Sequence, residues 1–109
     1  MMACAQHTVV SLDRAAIARA LAARHRYKYV QPRVEPEADG WKVVSRNCSR
    51  SVDAGGGEID IAWLRRGARG WTLYARDHAL AAWLPKLSER PLVQVLALLC
   101  EDPNRDFWQ

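Results

Sequence analysis

The chain carries 109 residues, half of them hydrophobic and 26% charged, enough apolar material for one core and too much for intrinsic disorder. Its net charge of +4 comes from thirteen arginines and three lysines against 12 acids, a balance that suits an anionic partner but is also what a GC-rich, Arg- and Ala-heavy composition writes. The charge lies in alternating blocks rather than in a tail, and no run of about eighteen apolar residues exists, so no membrane span is expected.

Met1 to His7 has neither a basic region nor an apolar core, so it does not read as a secretory signal, and residues 1–10 are expected as a flexible lead-in. Ser11 is a good N-cap, and Asp13 suits the positive end of a helix dipole. Val10, Ile17 and Leu21 fall on one helical face among alanines, which predicts a helix over 12–25. Residues 31–40 hold two prolines, three acids and a closing Asp39-Gly40, and read as a turn-rich connection.

Period-two patterning follows. Trp41 and Val43 share one face of a first strand. Ile59, Ile61 and Trp63 alternate with Glu58, Asp60 and Ala62 in a second. Trp71, Leu73 and Ala75 alternate with Thr72, Tyr74 and Arg76 in a third. A weaker fourth strand is expected from Ala79 to Leu84, stopped by Pro85. Arg66 to Gly70 reads as a hairpin loop and Asp77-His78 as a tight turn. Ser88-Glu89-Arg90-Pro91 opens a last helix, in which Leu92, Val95, Leu96 and Leu99 take helical spacing. Phe107-Trp108 should dock back on the core, since leaving two large rings wet is costly. The expected fold is therefore α+β, one domain over 1–109. It is a four-stranded antiparallel meander with an N-terminal and a C-terminal helix on one face, in the order α-β-β-β-β-α.

Cys4, Cys48 and Cys100 are odd in number and widely spaced, which fits neither a disulfide framework nor a zinc site and suggests a reducing, cytoplasmic setting. His7, His25 and His78 are scattered, so neither a metal nor a cofactor is expected. Glu58 and Asp60 share a strand face and read as charge partners for Arg76 on the next strand. Gly55-Gly56-Gly57 lacks the ending of a phosphate loop. Cys48, beside Arg50, has the surroundings of an activated thiol only if His78 serves as base and Asp60 or Asp77 orients it. The blander reading is a small residue at a loop bend.

Two surfaces stand out. Arg46, Arg50, Arg65, Arg66 and Arg69 gather at strand ends and hairpin loops, with Tyr74, Thr72 and Arg76 on the solvent side of the sheet. Such a face can stack bases and neutralise phosphates. Trp41, Trp63 and Trp71 run in phase with the apolar face and are expected in the core. Trp83 is out of phase with Leu80, Ala82 and Leu84, so its direction decides whether an aromatic surface exists. The plain alternative for the arginines is a solvated surface. On the last helix, Val93, Leu98 and Cys100 widen the apolar surface beyond one stripe. Either the first helix covers them or a partner does, and a two-fold homodimer is the default form. The chain thus reads first as a non-enzymatic module for a protein partner or a second copy of itself. Nucleic-acid binding through the sheet face is the alternative, and a thiol enzyme a distant third.

Gly70-Trp71-Thr72-Leu73-Tyr74, Trp83 in the following strand, and the closing Asp102-Pro103 with Phe107-Trp108 resemble a family of small bacterial proteins known as domain of unknown function 3024. The resemblance covers about residues 40–109. It implies no activity, cofactor or site.

Overall fold

Alanine-rich sequence with Ile17 and Leu21 one turn apart makes the first helix, α1 (Met2–Ala23), which starts ten residues earlier than the capping signals suggest. In the computed structural model, residues 2–24, 31–46 and 57–108 are described. Ile17 and Leu21 are buried, and Arg14 Nε donates to the Val34 carbonyl at 3.1 Å, tying the helix to the first strand.

The sheet has five strands rather than four: β1 (Arg33–Glu37), β2 (Gly40–Arg46), β3 (Glu58–Gly67), β4 (Gly70–Asp77) and β5 (Ala82–Arg90), with each strand antiparallel to its neighbour in chain order. The additional strand is β1, in the stretch read from sequence as a connection. Pro36 suggests a break there, yet β1 is an outer strand, where a missing N–H costs no ladder bond. Asp39-Gly40 does form the turn, with Asp39 at φ 57°. The same physics corrects the far edge. Pro85 does not stop β5, because β5 is the other outer strand. The strand runs on through Ser88-Glu89-Arg90, so these residues do not open the helix. It also starts at Ala82 rather than Ala79, after a loop over 78–81 in which Asp77 Oδ1 accepts the Leu80 N–H at 3.0 Å.

α2 (Leu92–Glu101) begins directly after Pro91, whose carbonyl accepts from Gln94 and Val95. Val95, Leu96 and Leu99 are buried on the same sheet face as α1's Ile17 and Leu21. Both helices therefore cover one face, and the element order is α-β-β-β-β-β-α. Phe107 and Trp108 close the core from the chain end. Asp102, the left-handed residue ending α2, holds them there. Its carboxylate accepts the N–H groups of Asp106 at 2.7 Å, Phe107 at 3.2 Å and Trp108 at 2.8 Å. Trp108 Nε1 donates to the Leu99 carbonyl at 2.9 Å.

β3 departs from strict alternation. Val43 pairs with Ala62 and Val44 with Asp60, leaving Ile61 without an opposite residue. This is a β-bulge, two residues on one strand against one on the next. Ile61 and Ala62, consecutive in sequence, are consequently both buried. Everything after them changes face. Leu64 points into the core, and Trp63, expected there with Ile59 and Ile61, is on the open face beside Tyr74. Trp41 and Trp71 are core residues as expected.

Gly40 is required by close approach. A methyl group built on it would overlap the Leu64 carbonyl oxygen of the neighbouring strand. Gly40→Ala should lower the melting temperature by about 5–15 °C. An unchanged melting curve would show that the β2–β3 spacing relaxes freely.

Candidate binding surface on the open sheet face

The face without helices divides into two halves. On the β1–β2 side, Lys42 Nζ lies 3.7 Å from Glu35, 3.7 Å from Glu37 and 3.4 Å from Asp60. Burial works against the Lys42 charge, but Asp60, Glu37 and Glu35 outweigh it and raise its pKa. Arg33 pairs with Glu35 and Glu58 next to it. Glu58 and Asp60 thus meet Arg33 and Lys42, not Arg76. Opposite charges are matched within this half, which leaves acids in slight excess.

The β3–β5 half is aromatic and basic. Trp63 stacks on Tyr74, directly opposite on β4, with ring centres 4.6 Å apart and planes at 24°. Trp83 of β5 lies 6.0 Å from Trp63, tilted by 50°. Arg65 lies 5.6 Å from the Trp63 ring centre and Arg76 4.9 Å from that of Trp83, within cation–π range. Trp63 Nε1 donates to the Ala38 carbonyl at 3.2 Å, which fixes the indole. The Tyr74 hydroxyl, and next the Asp39 carboxylate, raise the Arg65 pKa. All three rings are half-buried, so each keeps surface in water.

The bulge makes this cluster possible. Without it, Trp63 would share the face of Ile61 and leave Tyr74 and Trp83 apart. The sequence carried one sign of it. Ile61-Ala62-Trp63-Leu64 is four apolar residues in a row, which a strand wet on one side can hold only by changing phase.

The other residues singled out from sequence are dispersed. Arg46 is exposed at the far end of β2, opposite Glu58. Arg50 and Cys48 lie outside the described residues. Arg66 turns to the helix side and pairs with Asp13 of α1 at 3.4 Å. Arg69 is exposed in the β3–β4 turn and has no ion-pair partner among the described residues. On α2, Val93 is 73% exposed, whereas Leu98 packs against the core and Cys100 Sγ lies 3.4 Å from the Ala20 carbonyl of α1. Of the three residues that widened the apolar stripe, Cys100 thus meets the first helix, Leu98 meets the core and Val93 stays exposed.

Asp60 is committed to Lys42 and Asp77 to the Leu80 N–H. Burial, and then Arg76, lower the His78 pKa. No group of three metal-ligating side chains occurs among the described residues, and no described helix is long and apolar enough to cross a membrane.

A family model described as "Domain of unknown function (DUF3024)" matches residues 4–109. The chain belongs to this family. The match takes in α1 as well as the sheet and α2, so the whole α-β-β-β-β-β-α unit is the DUF3024 domain. Comparisons with curated proteins and with solved structures found no match. For this DUF3024 chain, functional argument rests on the open face itself.

Proposed function

We propose that this DUF3024 protein is a non-enzymatic binding module that takes single-stranded nucleic acid on the β3–β5 half of its open sheet face. One observation carries the reading: Trp63, Tyr74 and Trp83 stand together on that face with Arg65 and Arg76 beside their rings. Neighbouring strands lie about 4.8 Å apart, so a cluster over three strands spans about 10 Å. That span suits two or three unstacked bases. Aromatic rings supply sequence-tolerant stacking, and guanidinium groups supply the electrostatic part of the affinity. The acidic β1–β2 half repels a polyanion and confines it to the other side.

The test is fluorescence anisotropy with labelled single-stranded oligouridylate and oligothymidylate, compared with duplex. Binding should favour single strands and weaken about tenfold or more between 50 and 200 mM salt, as expected for two or three released counterions. Equal affinity for duplex, or an affinity indifferent to salt, would remove the reading.

A second reading has its own observation. One half of the open face is rich in acids and the other in arginines, so two copies related by a two-fold axis match acid to base. Light scattering over a wide concentration range decides it. A dimer whose contact is lost on charge reversal at Arg65 and Arg76 supports self-association, and a monomer throughout dismisses it.

A further inference from the structure

At the hairpin end of the aromatic cluster the open face sinks into a groove of about 500 Å³. Arg65, Arg69, Thr72 and Tyr74 line it, and the turn from Gly67 to Gly70 forms its end wall. The groove shares Arg65 and Tyr74 with the cluster, so the two are continuous.

Its chemistry is that of an anion subsite. Arg65, Arg69 and the hydroxyl-bearing Thr72 all belong to the lining of one hollow, and Arg forks match phosphate oxygens in pairs. Gly67 and Gly70 bring no side chains to block it. Gly70 is held at φ 131° with Arg90 backbone against it, a place that admits no other residue easily. Two carboxylates, Asp39 and Glu89, line the groove as well. Asp39 lies 3.5 Å from Arg65, a long and exposed contact that an arriving phosphate can replace. Arg69 has no ion-pair partner to surrender among the described residues.

We infer that this hairpin groove binds a phosphate group, held by Arg65, Arg69 and Thr72, as the strand leaves the rings. The inference rests on the strand-binding reading and deepens it. It places a phosphate at the hairpin end and none over β1–β2.

The test is amide NMR of the whole chain, titrated separately with tripolyphosphate and with a short oligouridylate. Both probes should move the amides of Ala68 to Thr72. Arg69→Ala should weaken both by about threefold to tenfold and lower the oligouridylate salt slope by about one. Asp39→Asn, tolerated at a positive φ, should tighten both about twofold by releasing Arg65. If tripolyphosphate leaves the hairpin amides in place, or Arg69→Ala changes neither probe, the subsite is refuted. If oligouridylate moves Trp63 and Trp83 signals but not the hairpin, the subsite falls and strand binding stands. If tripolyphosphate binds and oligouridylate does not, strand binding falls and the subsite is one for free polyphosphate.

Discussion

Replacing Trp63 with alanine should cost single-strand affinity about tenfold to a hundredfold, the worth of one well-stacked base. Trp63 is the centre of the cluster. It stacks on Tyr74, touches Trp83 and lies under Arg65. Removing it takes away a stacking face and leaves the neighbouring rings and Arg65 without support. Trp83→Ala removes an outer ring and should cost less, about threefold to tenfold. Trp63→Phe keeps a ring and should recover part of the loss. Circular dichroism and melting of each variant separate lost binding from lost fold. Wild-type affinity in folded Trp63→Ala would end the stacking account.

Asp102→Ala should destabilise the domain by about 3–5 kcal/mol, a large share of the stability of a domain this size. The carboxylate is 1% exposed. It is the acceptor for three consecutive N–H groups, at Asp106, Phe107 and Trp108. Alanine leaves those donors without an acceptor and also dislikes the left-handed backbone that Asp102 adopts at φ 43°. With the clasp gone, Phe107 and Trp108 lose their anchorage in the core. The melting temperature should fall by about 15–30 °C. Asp102→Asn keeps the shape, the backbone preference and one carbonyl acceptor, so its loss should be intermediate. A fall of under about 1 kcal/mol for Asp102→Ala would mean that the chain end packs without its clasp.

Periodicity made much of this fold legible. Leu73 and Ala75 alternate cleanly with Thr72 and Tyr74, and β4 lies as its pattern says. Val95, Leu96 and Leu99 set α2 on the core. The misreadings have two causes. Proline was weighed as a breaker at Pro36 and Pro85, though both sit on outer strands where a missing donor is harmless. Alternation was carried straight through β3, though the unpaired Ile61 reverses its phase. The second cause hid the site. Arg65, Tyr74, Arg76 and Trp83 are all identifiable from local pattern, but the residue that joins them, Trp63, is reached only through a backbone irregularity. Arg66 shows the converse. It is adjacent to Arg65, yet it faces α1 and Asp13, because neighbours on a strand point opposite ways.

The prolines have another consequence. Each border of the sheet lacks one amide hydrogen in the middle of its run, at Pro36 on one side and Pro85 on the other. A further strand laid along either border would meet a gap in the ladder, so the sheet resists sideways extension and the fibril growth that follows from it.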